Sequence, residues 1–532
     1  MKTFSIPDSF NVASYFLDRH LQQGREDRVA IECGDERVTY GKLVQEVNRV
    51  GWALREELDV RMEERVLLLL QDTPAFTYSF LGAIRIGAVA VPVNTLLKPS
   101  DYRYLLNDCR ARVAIVSPGL LPTITAIPRH ELLYLQHVIV TGDAPAGTRS
   151  LEEITTRAPE ELSPAPTSKD DSAFWLYSSG STGPPKGCVH LHHDMVVCSE
   201  LYARGILKIS EADRFFSVAK LFFAYGLGNA LYFPLAVGGT SILWPGTPSA
   251  ENVFRVIERH RPTLFFSVPT NYAMLLAYER DRGEDFDLSN VRHAVSAGEA
   301  LPPTIFARFR ERFGIEILDA IGSTEALHMF ISNSPGAVRP GSSGQIIPGY
   351  EARLVDDNDR SVAAGAIGNL LIRGDSVCAG YWNQHEKTKD TFEGHWLRTG
   401  DKYYQDNDGY FWFAGRSDDM LKVGGIWVSP VEIENALVEH PAVLEAAVVG
   451  RADKDELVKP MAYVVLRSKA SVGQDLEREL QAFVAGKLAE YKRPRWVEFL
   501  SELPKTTTGK TQRFRLRQCH AESAQFKSRS CG

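Results

Sequence analysis

Tyr177-Ser178-Ser179-Gly180-Ser181-Thr182-Gly183-Pro184-Pro185-Lys186-Gly187 follows the apolar run Ala173-Phe174-Trp175-Leu176. Small residues let backbone N–H groups approach an anion closely, the hydroxyls add donors, and Lys186 adds a cation. Recognition of a polyphosphate needs all three. The GxxxxGK[ST] pattern of a P-loop NTPase is not met, because Pro185 precedes Lys186 and Gly187 follows it. Gly509-Lys510-Thr511 fails as well, since Pro504 stands where the first glycine should be. The loop therefore reads as a phosphate grip of another kind.

A second polar cluster, His190, His192, His193 and Asp194, has no standard zinc-ligand spacing, and Asp194 is expected to cap the helix after the loop. Seven cysteines without a CxxC pair suggest neither a disulfide framework nor a zinc ribbon, and fit a reducing, cytoplasmic home. Lys plus Arg total 60 against 67 for Asp plus Glu, a net charge of -7, which argues against a chain that coats nucleic acid. From Lys505 onward seven basic residues face one acid, Glu522. That stretch reads as a contact for phosphate groups as far as Arg517 and as a solvated tail beyond it.

The elements that must position these groups alternate in type. Val66–Leu70 reads as a buried strand, 75–86 as a helix and 88–93 as the next strand. The order recurs around 114–116, 138–140, 264–266 and 315–318, which implies parallel sheets with helices on their faces. Residues 150–169, rich in Pro, Thr, Ser and Glu, read as a surface connection. The uncharged stretch 221–250 is long enough to span a bilayer, but its many Gly and Pro residues favour a loop, a short buried helix and a buried strand. After about residue 340 short strands and Asp/Gly turns predict a β-rich subdomain, and 431–499 predicts a compact α+β unit. The fold class expected is α/β. A large N-terminal body, residues 1–417, holds mostly parallel sheets plus the β-rich subdomain, and a small mobile α+β domain follows over 418–532.

The phosphate loop resembles the signature of the adenylate-forming (AMP-binding) superfamily. Five more signatures follow in that family's order: Ser296-Ala297-Gly298-Glu299-Ala300-Leu301-Pro302, Ile321-Gly322-Ser323-Thr324-Glu325, Arg398-Thr399-Gly400-Asp401, Gly415-Arg416-Ser417-Asp418-Asp419 and Pro504-Lys505-Thr506-Thr507-Thr508-Gly509-Lys510. Within the family, the stretches 220–229 and 325–333 are similar to benzoate-CoA ligases. Asn369 departs from the Glu common in the family's Gly-Glu-Leu stretch.

The resemblance implies an ATP- and Mg²⁺-dependent ligase. Benzoate or a simple amino- or hydroxybenzoate would become an aryl-AMP and then its CoA thioester; the alternative is a stand-alone adenylating enzyme that loads a carrier protein. It places Ser178, Ser179, Gly180, Thr182, Gly183 and Lys186 on the β- and γ-phosphates, Thr324 on the α-phosphate and Glu325 on the metal. Gly298, Glu299, Ala300, Asp319, Ala320 and Ile321 would wall the adenine, and Asp401 and Arg416 would hold the ribose. Lys510 would bridge carboxylate and α-phosphate, Asp418 would be the hinge, and Lys422, Gly424 and Gly425 would meet the pantetheine arm of CoA. Ala224, Tyr225, Ala297, Gly322, His328 and Met329 would line the acyl pocket, with His328 a candidate donor and the small residues leaving room for a flat ring. A small aromatic acid is the partner expected, with no nucleic acid and no membrane, on a monomer or homodimer.

Overall fold

The computed structural model describes residues 4–145, 148–178, 184–279, 286–417, 419–423, 426–453, 457–467, 474–505 and 511–517. A seven-stranded sheet runs in the order Arg149–Ser150, His137–Val140, Ala111–Val116, Arg65–Leu69, Val89–Pro92, Ser172–Ser178, Lys186–Leu191. Its neighbours pair in parallel except for the last two strands. Parallel pairing needs a crossover, and the helix Pro74–Arg85, with proline in its first turn, supplies the one between Arg65–Leu69 and Val89–Pro92. Leu67, Leu68, Val91 and Ala114 are fully covered, as strands packed on both faces must be.

A nine-stranded sheet runs in the order Gln345–Ile346, Met329–Ser332, Ile317–Gly322, His293–Ser296, Leu264–Ser267, Arg214–Ser217, Thr240–Leu243, Val29–Cys33, Glu36–Thr39. Its middle is parallel, and its two ends turn antiparallel. The helices Ala250–His260 and Pro303–Phe313 serve as crossovers; Ser249 caps the first, and Gly314, at φ 72°, ends the second.

The uncharged stretch forms a broken buried helix: Ala224–Leu227, a π-helical turn Gly228–Tyr232, and Phe233–Val237. The strand Thr240–Leu243 follows it. No helix among the described residues is long and apolar enough to cross a membrane. Residues 150–169 are less plain a connection than their composition predicts, since Ser150 caps a short helix, Leu151–Thr155.

The β-rich part is an antiparallel sheet of Glu351–Val355, Gly368–Arg373, Trp396–Gln405, Phe392–Glu393 and Phe411–Arg416. Beyond it lie the hairpin Leu421–Val423 with Ile426–Val428, the helices Pro430–Val438 and Gln474–Ala485, and the sheet Val443–Ala452, Val458–Leu466, Trp496–Leu500. Val428, Ile433, Leu437, Val464 and Leu480 build a core there that is separate from the main one.

Candidate active site

The carboxyl ends of the parallel strands Leu264–Ser267, His293–Ser296 and Ile317–Gly322 lie side by side in register, with Ser267 opposite Ser296 and Ser296 opposite Asp319. Ligands of open α/β sheets bind beyond such ends. The chain leaving Gly322 makes a tight turn and returns antiparallel at Met329. That turn carries Thr324, Glu325 and His328. Leu327 inside it has φ 66°, a left-handed conformation that costs a leucine about 1 kcal/mol and is held by its surroundings.

The turn is tied to the strand Lys186–Leu191. His190 Nε2 donates to the Thr324 carbonyl at 2.8 Å, and His190 Nδ1 meets Asp194 Oδ2 at 2.8 Å with both side chains fully covered. Asp194 is the first residue of the helix Asp194–Cys198 rather than its cap, and its carboxylate also accepts the Leu191 N–H. His192 turns away, its Nδ1 accepting the Val12 N–H, whereas the His193 ring lies on the Lys169 and Asp375 carbonyls and its Nε2 stands 3.2 Å from Asp194 Oδ1. Burial pulls His192 down to about 4, so it is neutral.

Glu325 Oε1 accepts from the Tyr381 hydroxyl at 2.8 Å and, at a long 3.5 Å, from Ser178. The Glu325 carbonyl accepts the Cys378 N–H at 2.8 Å. Lys186 Nζ donates to the Tyr381 hydroxyl at 3.3 Å and stands 4.3 Å from the centre of its ring. Ser178, Lys186 and Glu325 are thus gathered from 147 positions of chain separation into one polar group. A carboxylate beside hydroxyls and a lysine could hold a divalent cation and the phosphates it bridges.

The rings of Tyr225 and His328 meet at 5.7 Å, and Phe233 and Tyr202 close on His328 at 4.6 and 5.4 Å. The Tyr225 hydroxyl donates to the Ser267 and Val295 carbonyls, each at 3.2 Å, so its aromatic faces rather than its oxygen are left for packing. His328 differs from the donor expected. It is 2% exposed, burial takes it down to about 3, and its Nε2 donates to Asn229 Oδ1 at 3.2 Å. It is a neutral wall whose N–H is already engaged. Gly322 also has a reason other than room for a substrate ring: a Cβ there would lie 2.7 Å from the His328 carbonyl carbon. Gly228, inside the stretch 220–229 but not among the residues expected to line the pocket, is small for the same purpose, since a Cβ would lie 2.7 Å from His328 Nε2. Ala224, Ala297 and Met329 are buried around this group of rings and strand ends.

Gly298 turns the chain at φ 93° after His293–Ser296 and leads into Glu299 and Ala300, while Ser296 stands opposite Asp319, which Ala320 and Ile321 follow in the neighbouring strand. Asp319 Oδ2 accepts the Leu301 N–H at 3.3 Å, and burial pushes its carboxyl well up. Arg416 Nη1 donates to Asp401 Oδ1 at 2.8 Å and to the Thr399 carbonyl at 3.2 Å, and the two residues stand opposite each other in adjacent strands. Asn369 has an account here. Its amide donates to Asp357 Oδ1 at 3.2 Å while its carbonyl accepts from Ser417 at 3.3 Å, a pairing that a carboxylate could not make.

Ser179, Gly180, Thr182, Gly183, Asp418, Gly424, Gly425 and Lys510 lie outside the described residues. Lys422 stands in the strand Leu421–Val423. Thr511 is described, and its N–H donates to Glu299 Oε1 at 3.2 Å.

The model of the AMP-binding enzyme family matches residues 17–382, and that of the AMP-binding enzyme C-terminal domain matches 432–510. The chain belongs to the AMP-binding enzyme family. Among its relatives in that family, the benzoate–CoA ligase of Thauera aromatica is 49% identical over 96% of each chain. The 4-hydroxybenzoate–CoA/benzoate–CoA ligase of Rhodopseudomonas palustris is 46% identical over 96% of this chain and 94% of its own. Two solved AMP-binding structures superpose closely. The anthranilate CoA ligase AuaEII, in complex with anthranoyl-AMP, gives a TM-score of 0.93 at 46% identity, covering 98% of this chain and 99% of that one. A benzoate CoA ligase from Burkholderia xenovorans LB400 gives 0.87 at 46% identity, covering 96% and 100%.

Proposed function

We propose that this AMP-binding enzyme is an acid–thiol ligase that converts benzoate, or a benzoate with a simple ring substituent, to its CoA thioester through an aryl-AMP. ATP, Mg²⁺ and CoA are its co-reactants. The observation that carries the reading is the turn between Gly322 and Met329, which presents Glu325 to Ser178, and His328 to a cluster of aromatic rings. One short segment thereby joins a site for polyanions to a site for a flat apolar acid.

A carboxylate and a triphosphate repel each other, so the protein must neutralise the phosphates and fix an in-line approach. The loop from Ser178 to Lys186 would hold the β- and γ-phosphates, and Thr324 the α-phosphate. Mg²⁺ takes oxygen ligands, commonly one carboxylate with phosphate oxygens and water, and Glu325 fits that demand. When bound, the ion would supply charge neutralisation at the phosphates. Asp401 can accept from both ribose hydroxyls while Arg416 holds its other side, and Glu299 and Asp319 stand at the adenine wall.

Residues 1–417 and 418–532 act as body and lid in this proposal, with Asp418 the hinge. Lys510 enters for adenylation; rotation then brings Lys422, Gly424 and Gly425 to the pantetheine arm. The few cysteines suit a reducing cytoplasm. The test is CoA consumption over benzoate, its amino and hydroxy derivatives, cinnamates and medium-chain fatty acids. Thioester formed from a benzoate supports the reading; thioester from fatty acids alone, or acyl transfer to a carrier protein but never to CoA, contradicts it.

A further inference from the structure

Tyr381 belongs to none of the phosphate, nucleotide or acyl groups that the sequence singled out, yet its hydroxyl lies between the two charges that matter most for the triphosphate. It donates to Glu325 Oε1 at 2.8 Å and receives Lys186 Nζ at 3.3 Å. No ion pair joins Lys186 directly to Glu325 among the described residues, and Glu325 Oε2 takes no hydrogen bond among them.

The placement is built into the backbone. The segment around Tyr381 runs antiparallel to Lys186–Leu191: Ala379 N–H donates to the Val189 carbonyl at 2.9 Å, Val189 N–H to Gly380 at 3.0 Å, and Trp382 N–H to Gly187 at 2.8 Å. Cys188 therefore stands opposite Tyr381. Thr388 Oγ1 accepts the Tyr381 N–H at 3.1 Å, and Phe392 packs edge-on against the ring at 5.4 Å. The side chain is buried and held from both sides.

We infer that Tyr381 is a positioning residue for triphosphate activation: it keeps Lys186 and Glu325 from neutralising each other and turns Glu325 Oε2 toward the metal. A lysine and a carboxylate left this close would close into an ion pair in a partly buried site, where their attraction is much stronger than in water. Each charge would then be spent on the other instead of on phosphate and Mg²⁺. The hydroxyl prevents this by being an acceptor for one and a donor for the other. A phenol offers one proton and lone pairs on the same oxygen, so both contacts, to Glu325 Oε1 and from Lys186 Nζ, are made at once. The ring face adds a cation–π contact that holds Lys186 in reach of an incoming anion.

The inference rests on the proposed ligase reading and is tested with Tyr381→Phe, which keeps the ring, its packing and the cation–π contact. MgATP binding is measured by titration calorimetry, without acid or CoA, next to the wild type. Tyr381→Phe is expected to bind MgATP about tenfold more weakly, equal to about 1.4 kcal/mol, and to need several-fold more Mg²⁺ for half-maximal binding. Transfer from preformed aryl-AMP to CoA and the KM for the aromatic acid should stay near wild type. Phe392→Leu, which loosens the ring but spares the hydroxyl, should leave MgATP affinity within about twofold. Unchanged MgATP binding and Mg²⁺ dependence in a folded Tyr381→Phe overturn the inference, as does an equal loss in Phe392→Leu. A wild type that binds MgATP but makes no aryl-AMP overturns the ligase reading and leaves the binding comparison standing.

Discussion

Thr511 and Glu299, 212 positions apart, are joined by a hydrogen bond of 3.2 Å from the Thr511 N–H to the Glu299 carboxylate. Arg513, two residues after Thr511, pairs instead with Glu434 at 2.7 Å within the C-terminal unit. Glu299 follows the left-handed Gly298 at the wall proposed for adenine, so the C-terminal segment touches the residue proposed to stand there. Glu299→Ala should remove a bond to a charged acceptor, worth about 1.5 kcal/mol, and slow adenylation about tenfold. Transfer from preformed aryl-AMP should change little. Pyrophosphate exchange and a single-turnover transfer assay read the two steps separately, and an equal loss in both would count against a role in closing the adenylation state.

The Tyr225 ring lies 5.7 Å from that of His328, while two backbone carbonyls take its hydroxyl. Tyr225→Phe should therefore cost about 1 kcal/mol of stability and leave the KM for benzoate within about threefold. Tyr225→Ala removes the ring beside His328 and should raise that KM tenfold or more, at about 0.5–1.5 kcal/mol for the ring contact plus lost burial. Steady-state kinetics and urea unfolding of the two variants check the pattern.

Asp72 is a buried carboxyl that accepts the Leu221 N–H at 3.1 Å, just ahead of the helix Ala224–Leu227. Burial raises it from 3.8 to about 6, against the opposing pull of Lys220. Because the folded state prefers the protonated form, its stabilising contribution is complete below about pH 3.8 and is lost as pH rises through about 6. Between pH 4 and pH 7 the wild type should lose about 2 kcal/mol relative to Asp72→Asn, which retains the acceptor oxygen and cannot ionise. Urea unfolding of both proteins at the two pH values measures it; parallel pH profiles would show that the carboxyl is already ionised at pH 4.

Much of the fold is legible from local pattern. Runs such as Val66–Leu70 announce buried parallel strands because covered strands have no polar face to show, and the strand found is Arg65–Leu69. The residues proposed for the site at strand ends stand out in the sequence because their motifs are contiguous. Tyr381, Asn229 and Gly228 do not, since each takes its role from a partner far along the chain: Tyr381 from Lys186, 195 positions away, and Asn229 from His328, 99 away. Asp194 looks like a cap because acids precede many helices, but the fold makes it the buried partner of His190. The signal that could have marked Tyr381 is its neighbourhood, an aromatic after Gly380 whose positive φ and close approach to Thr388 require glycine.

The most direct measurement is exchange of labelled pyrophosphate into ATP by the purified protein, with Mg²⁺ and an aromatic acid and without CoA. The account predicts exchange that depends on benzoate or a substituted benzoate and disappears in Lys510→Ala. No exchange with any aromatic acid, or exchange that survives in Lys510→Ala, would contradict it.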